Sequence, residues 1–264
     1  MDMRLADKTA LVTGSTRGIG KAIAVELARE GVHVFINGRN SEEAEQTVQE
    51  IKALFPATTP QNAAADIADK KQREALLKKF PHVDILVNNT GIYEIMPYED
   101  ITDEVWERYF QTNVLAANAL SKFYLPKMLE NGFGRILFIA SEEALMPSGQ
   151  MPQYAMTKSM LLSLSKSLSK LTAGSNATVN SIMPGPTLSE NVYQIIDHLY
   201  ADEDMPFEEK EKRFMATNLP QSELQRFIRP SEIGRLAAFV CSPDASAFRG
   251  SPIRMDGGMV PTIF

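Results

Sequence analysis

The sequence predicts a doubly wound α/β fold: a single domain built on a mostly parallel seven-stranded sheet, with helices on both faces. Three observations predict it. Short β-rich apolar runs alternate with longer helical patterns along most of the chain. Those runs are apolar on both sides, as strands covered on both faces are. No Pro/Gly-rich linker divides the 264 residues, a length that suits one large domain spanning 1–264.

The elements follow in order. Thr9 to Thr13 reads as a buried strand. After a glycine turn, Ile19, Ile23 and Leu27 recur at helical spacing. His33 to Ile36 is a strand, and Ser41 to Leu54 a helix with Ser41 as its N-cap. A weaker strand near Asn62 to Ala65 precedes a helix running through Lys79. Asp84 to Val87 is a strand and Thr102 to Leu129 one long helix. Arg135 to Ala140, then Thr178 to Ile182, are strands on either side of a helix from Gln153 to Leu171. Ser231 to Cys241 is a helix and Pro252 to Met255 a last short strand. Right-handed crossovers wind this order into a sheet covered on both faces. The stretch Thr187 to Arg229 is too long for a plain loop. It is partly helical in pattern and acidic, with eight acids and three bases between Glu190 and Arg213, and it reads as a flap.

Composition narrows the function. The net charge of −6 argues against a nucleic-acid partner. One cysteine, Cys241, allows no internal disulfide, and no Cys/His cluster suggests a metal. No apolar window is long enough to span a membrane, and no apolar run follows Met1-Asp2-Met3-Arg4. A cytoplasmic location is the expectation.

The first strand runs into Thr13-Gly14-Ser15-Thr16-Arg17-Gly18-Ile19-Gly20. Glycine lets backbone approach a pyrophosphate, and the following helix offers it free N–H groups and a positive dipole end. The plainer reading is a tight turn that needs glycine for sterics alone. The second strand ends at Asn37-Gly38-Arg39, without the acid that would hold both ribose hydroxyls. Arg17 and Arg39 suit a 2′-phosphate, so NADP(H) is expected over NAD(H), unless both are merely solvated surface arginines. Asp66, with Ile67, follows the third strand and is expected at the adenine edge, and Asn88-Asn89-Thr90-Gly91 follows the fourth.

Ser141 ends the fifth strand, thirteen residues before Tyr154, and Lys158 follows Tyr154 at i+4 on one helix face. A Tyr/Lys pair at this spacing occurs by chance about 0.4 times in such a chain, so the pair means little alone. In company it suits proton transfer: a nearby ammonium favours the phenolate and lowers a phenol's pKa toward neutrality. A serine hydroxyl beside it suits a carbonyl oxygen.

With these residues in family order, the chain resembles a short-chain dehydrogenase/reductase of the single-domain Rossmann type, over nearly its whole length. The match runs from the cofactor turn through Asn113, Ser141, Tyr154/Lys158 and Pro184-Gly185 to Asp256-Gly257-Gly258. The resemblance implies Tyr154 as acid/base, Lys158 on the nicotinamide ribose and Ser141 on the carbonyl. It implies Asn113 holding a relay water, with Asn89 and Gly91 along the cofactor. Ile182, Pro184, Gly185 and Thr187 are implied at the nicotinamide end, with the 187–229 flap closing over the substrate. It also implies a homodimer or homotetramer through the 102–129 and 153–171 helices. The apolar side of the Tyr154 helix (Leu161, Leu164, Leu168) suits either that interface or the core.

Three positions depart from the family pattern. Thr90 stands where alanine is usual, and Glu142 and Glu143 follow Ser141 where small or polar residues are usual. The two acids are expected to face solvent, because carboxylates are rarely buried unpaired. The other reading is that they select a cationic or hydroxyl-rich substrate. Among relatives by general look, 3-oxoacyl-carrier-protein reductases dock an acidic carrier on basic segments. The corresponding segments here, Glu130 to Phe133 and Ala173 to Asn176, hold no cation, and the acidic flap opposes such a carrier. The expectation is therefore an NADP(H)-preferring enzyme interconverting a small ketone or aldehyde and its alcohol. A 3-oxoacyl thioester reductase and a non-catalytic NADP(H)-binding sensor are the alternatives.

Overall fold

The computed structural model describes residues 2–263; Met1 and Phe264, the ends of the expected domain, lie outside them. Seven strands form one sheet: β1 (Thr9–Val12), β2 (His33–Ile36), β3 (Gln61–Asn62), β4 (Ile85–Asn88), β5 (Gly134–Ile139), β6 (Ala177–Pro184) and β7 (Pro252–Met255). Their order is β3-β2-β1-β4-β5-β6-β7, and every pair is parallel.

Alternation along each strand feeds two apolar layers. Ala10 and Val12 of β1 join Val34, Ile36, Ile85 and Val87 on one face. Leu11, Phe35 and Leu86, between them in sequence, enter the other. Helices α1 (Gly18–Arg29), α2 (Ser41–Leu54) and α9 (Pro230–Cys241) close the first layer with Ile23, Leu27, Ile51 and Ile233. Helices α3 (Lys70–Lys79), α5 (Ala116–Glu130) and α6 (Pro152–Lys170) close the second with Leu76, Leu120, Tyr124 and Leu161. Truncating one fully buried leucine here, such as Leu27 or Leu120, costs about 2–5 kcal/mol. Leu161 is buried in this layer, and Leu164 and Leu168, half-buried, pack against it.

Three local expectations are corrected. Asn40, not Ser41, caps α2: its side chain accepts from the Glu42 N–H at 2.8 Å, and Ser41 is already helical. Asn40 wins because it holds extended backbone just where the carbonyl-type oxygen can reach back to the first turn. The third strand is only Gln61–Asn62 and lies slightly earlier than expected. The expected helix over Thr102 to Leu129 is α4 (Asp103–Phe110), a π-helical turn (Gln111–Leu115) and α5. Asn113 sits inside that wider turn and hydrogen bonds the Ile92 backbone twice, which an unbroken α-helix does not favour.

The segment 187–229 leaves and rejoins the domain at one place, since Thr187 and Ile228 pair as an isolated parallel bridge. Between them, α7 (Glu190–Leu199) and α8 (Phe207–Asn218) enclose a small cluster around Ile196, Met215 and Phe227. Part of its acidity is neutralised internally. Lys210 pairs with Asp197 at 2.7 Å, Arg213 with Glu203, and Arg229 with buried Glu211. The carboxyl ends of β1, β4, β5 and β6 face one crevice, with the chain winding away in opposite directions from β1 and β4. That reversal is where open α/β sheets bind ligands.

Candidate active site

At the β1 end the glycine turn is held by β4. The Thr13 hydroxyl accepts from the N–H groups of Asn89 and Thr90 at 2.9 and 3.0 Å. Asn89 Nδ2 donates to the carbonyls of Thr13 and Gly14 at 2.9 and 3.0 Å. Gly20 is required by packing: a Cβ there would lie 2.2 Å from the Gly14 oxygen. Helix α1 then starts with no acid in its first turn and no side-chain cap, so its N–H groups and dipole suit a phosphate.

The expected cofactor residues fall into two groups. Ser15, Asn37 and Asn89 spend their side chains on the protein. Ser15 Oγ donates to the Val12 carbonyl at 2.7 Å and accepts from the Asn37 N–H at 3.0 Å. Asn37 is buried, donating to the Ala63 and Ala65 carbonyls. Ile182 and Ile67 are buried in the two core layers. Asp66 accepts from the Ala68 N–H at 2.9 Å. Arg17 and Arg39 are exposed, and among the described residues neither forms an ion pair. Thr16, Gly18 and Ile19 lie with Arg17 where α1 begins. Across the crevice, Pro184 and Gly185 end β6, the Gly185 N–H bonds the Met255 carbonyl, and Thr187 Oγ1 donates to the Gly185 carbonyl.

The four expected catalytic residues converge. Lys158 is buried, and Nζ donates to the Ile139 carbonyl at 2.8 Å, the last residue of β5. Gly91 makes room for it, since a Cβ there would stand 3.3 Å from Lys158 Nζ and 3.6 Å from Asn113 Oδ1. Asn113 donates to Thr157 Oγ1 at 3.0 Å, and Thr157 in turn donates to the Tyr154 carbonyl at 2.7 Å. The Tyr154 ring has Lys158 Nζ 5.4 Å from its centroid and the Tyr93 ring 6.0 Å away. Sequence reasoning missed Thr157 and Tyr93. Thr157 carried a signal in its position three residues after Tyr154, whereas nothing in the sequence marked Tyr93.

Electrostatics correct two expectations. Burial lowers the Lys158 ammonium to about 8, so it stands at the edge of neutrality. Tyr154 is raised above the ordinary phenol value, first by burial, with Glu142, Glu143 and Tyr93 adding and Ser141 opposing. The expected lowering by Lys158 does not prevail, because partial burial of the ring and the two nearby carboxylates favour the neutral phenol. Those carboxylates are the second correction: Glu143 is buried and Glu142 is half-buried beside the crevice. Glu143 is buried and accepts the Ser148 N–H at 3.0 Å. Ser141 Oγ donates to Glu142 Oε2 at 2.7 Å, and burial pushes Glu142 up to about 7 despite that bond. A hydroxyl, a phenol and a carboxyl thus meet at the end of β5.

Residues 8–199 match the family model described as short chain dehydrogenase. YvaG, an uncharacterized oxidoreductase of Bacillus subtilis, is 47% identical over 264 residues, covering all of both chains. The D-beta-hydroxybutyrate dehydrogenase of Cupriavidus necator is 32% identical over 97% of this chain and 99% of its own. The crystal structure of L-sorbose reductase from Gluconobacter frateurii, complexed with NADPH and L-sorbose, superposes with a TM-score of 0.92 at 31% identity, covering all of both chains.

Proposed function

The chain belongs to the short-chain dehydrogenase/reductase family, oxidoreductases of hydroxyl and carbonyl substrates, and from that premise we propose that it is an NADP(H)-preferring reductase of small ketones or aldehydes. The observation that carries the reading is the convergence of Ser141, Tyr154, Lys158 and Asn113 beside a phosphate-suited helix start. When bound, the cofactor supplies the hydride that the carbonyl carbon takes up. Ser141 and Tyr154 hold the carbonyl oxygen, and Tyr154 gives it the phenolic proton. The raised phenol keeps that proton at neutral pH, which favours the reductive direction. Lys158, near neutrality, and Asn113 both lie beside Gly91 and serve the replacement of the proton.

The cofactor preference rests on Arg17 and Arg39, two exposed cations without ion-pair partners among the described residues, with no acid at the β2 end. NADPH in the L-sorbose reductase structure supports it. Gly91, Pro184, Gly185 and Thr187 border the nicotinamide end in this reading, and 187–229 is the substrate flap of one 1–264 domain. Leu115 and Met156, exposed apolar residues on the helical stretch 103–130 and on α6, support pairing with a second copy as a dimer or tetramer. The buried free thiol of Cys241 fits a reducing cytoplasm. No helix among the described residues is long and apolar enough to cross a membrane.

The test is NADPH consumption against a panel of small ketones and aldehydes, with NADH in parallel. Turnover with NADPH and a lower kcat/KM with NADH is expected. Faster turnover with NADH, or none with any carbonyl, contradicts the reading.

A further inference from the structure

Two carboxylates, Glu142 and Glu143, act on the Tyr154 phenol, a third, Asp256, acts on Glu142, and two of the three have fixed protein partners. Glu143 holds the Ser148 N–H. Asp256 pairs with Arg254 at 3.1 Å and accepts the N–H groups of Gly258 and Val260. Glu142 pairs with no cation among the described residues. The groups acting on it are the Ser141 hydroxyl, its own backbone and the Glu143 and Asp256 carboxylates. Its side-chain donor is the Ser141 hydroxyl, 2.7 Å away.

That bond conflicts with the role proposed for Ser141. A hydroxyl has one proton. If Ser141 turns it toward a substrate carbonyl oxygen, half-buried Glu142 loses its side-chain donor just where bound substrate displaces water, and an unsatisfied carboxyl oxygen there is costly. A hydroxyl on the carbon next to the carbonyl restores the donor, because its oxygen lies beside the carbonyl oxygen as Glu142 Oε2 lies beside Ser141 Oγ. We propose that Glu142 accepts a hydrogen bond from the α-hydroxyl of the substrate, making α-hydroxy ketones, the unit found in polyhydroxylated ketones, the preferred substrate class. The inference rests on the reading of Ser141 and Tyr154 as partners of the carbonyl oxygen. A plain ketone fits the same space but leaves the carboxyl without its donor, and so is disfavoured by about tenfold to a hundredfold.

The experiment compares hydroxyacetone with butanone, of similar size, as substrates with NADPH for the full chain and for Glu142→Ala and Glu142→Gln. Melting with NADPH checks that each variant is folded. The expected result is a wild-type kcat/KM ratio favouring hydroxyacetone by about tenfold to a hundredfold, mostly through KM. The ratio falls toward one in Glu142→Ala and is partly kept in Glu142→Gln, whose amide oxygen still accepts. A wild-type ratio near one overturns the proposal and leaves the reductase reading intact. So does a ratio unchanged in Glu142→Ala, or faster turnover of aminoacetone than of hydroxyacetone. Turnover of neither ketone overturns the proposal, and turnover of no carbonyl in the wider panel overturns both.

Discussion

Replacing Lys158 by Met should stabilise the protein while ending its activity. The lysine is 4% exposed and its ammonium is brought from 10.5 to about 8 by burial alone. Each tenfold change in acidity is worth about 1.4 kcal/mol, so the charged side chain costs the folded state about 3 kcal/mol. Methionine removes that cost and fills similar space, but forfeits the bond to the Ile139 carbonyl, worth about 1 kcal/mol plus some loss for the stranded carbonyl. The net gain is about 1–2 kcal/mol, or about 2–6 °C in Tm for a chain of this size. The sign with pH follows from linkage. The folded state binds its proton less tightly than the unfolded chain, so the penalty is fully present below about pH 8. It is then lifted as pH rises toward the unfolded value of 10.5. Urea unfolding of both proteins at about pH 7 and about pH 10 reads this: the variant's advantage should be largest at the lower pH and shrink at the higher. An advantage independent of pH, or a variant less stable at both, would refute the reasoning that burial of this cation is the strained feature.

Other outcomes follow from the same geometry. Arg17→Ala with Arg39→Ala should raise KM for NADPH by about tenfold to a hundredfold while changing KM for NADH little, which initial rates at fixed carbonyl would check. Equal effects on both cofactors would remove the basis for the 2′-phosphate assignment. Glu211→Ala should cost about 1–3 kcal/mol in unfolding, because it strips Arg229 and the Phe227 N–H of their acceptor. The same variant should lower kcat/KM through a loosened 187–229 segment, whereas Lys70→Ala, at an exposed pair with Glu74, should leave stability unchanged within about 0.5 kcal/mol.

Much of this protein is readable from its sequence because the relevant physics is local. A strand apolar on both sides must be covered on both sides, and β1, β2, β4 and β5 obey that rule to within a residue or so. The glycine turn and the spacing of Tyr154 and Lys158 are legible for the same reason, since backbone sterics and the helical repeat act over a few residues. What escaped depends on distant partners. Asn37 at a strand end reads as a ligand contact, and nothing in the sequence shows that its amide also braces Ala63 and Ala65. The π turn exists because Ile92, some twenty residues earlier, offers both backbone groups to Asn113. Glu142 and Glu143 read as solvated because acids are seldom buried unpaired, and here the Ser148 N–H holds Glu143 in while Ser141 holds half-buried Glu142 beside the crevice.

The most direct test of the account is Tyr154→Phe, measured for turnover and for cofactor binding together. The substitution removes the phenolic oxygen and keeps the ring that packs beside Lys158 and Tyr93. The account predicts loss of carbonyl reduction by at least about a thousandfold, with the rise in melting temperature caused by NADPH nearly unchanged. Turnover within a few-fold of the unaltered protein would contradict it, because another group would then be delivering the proton.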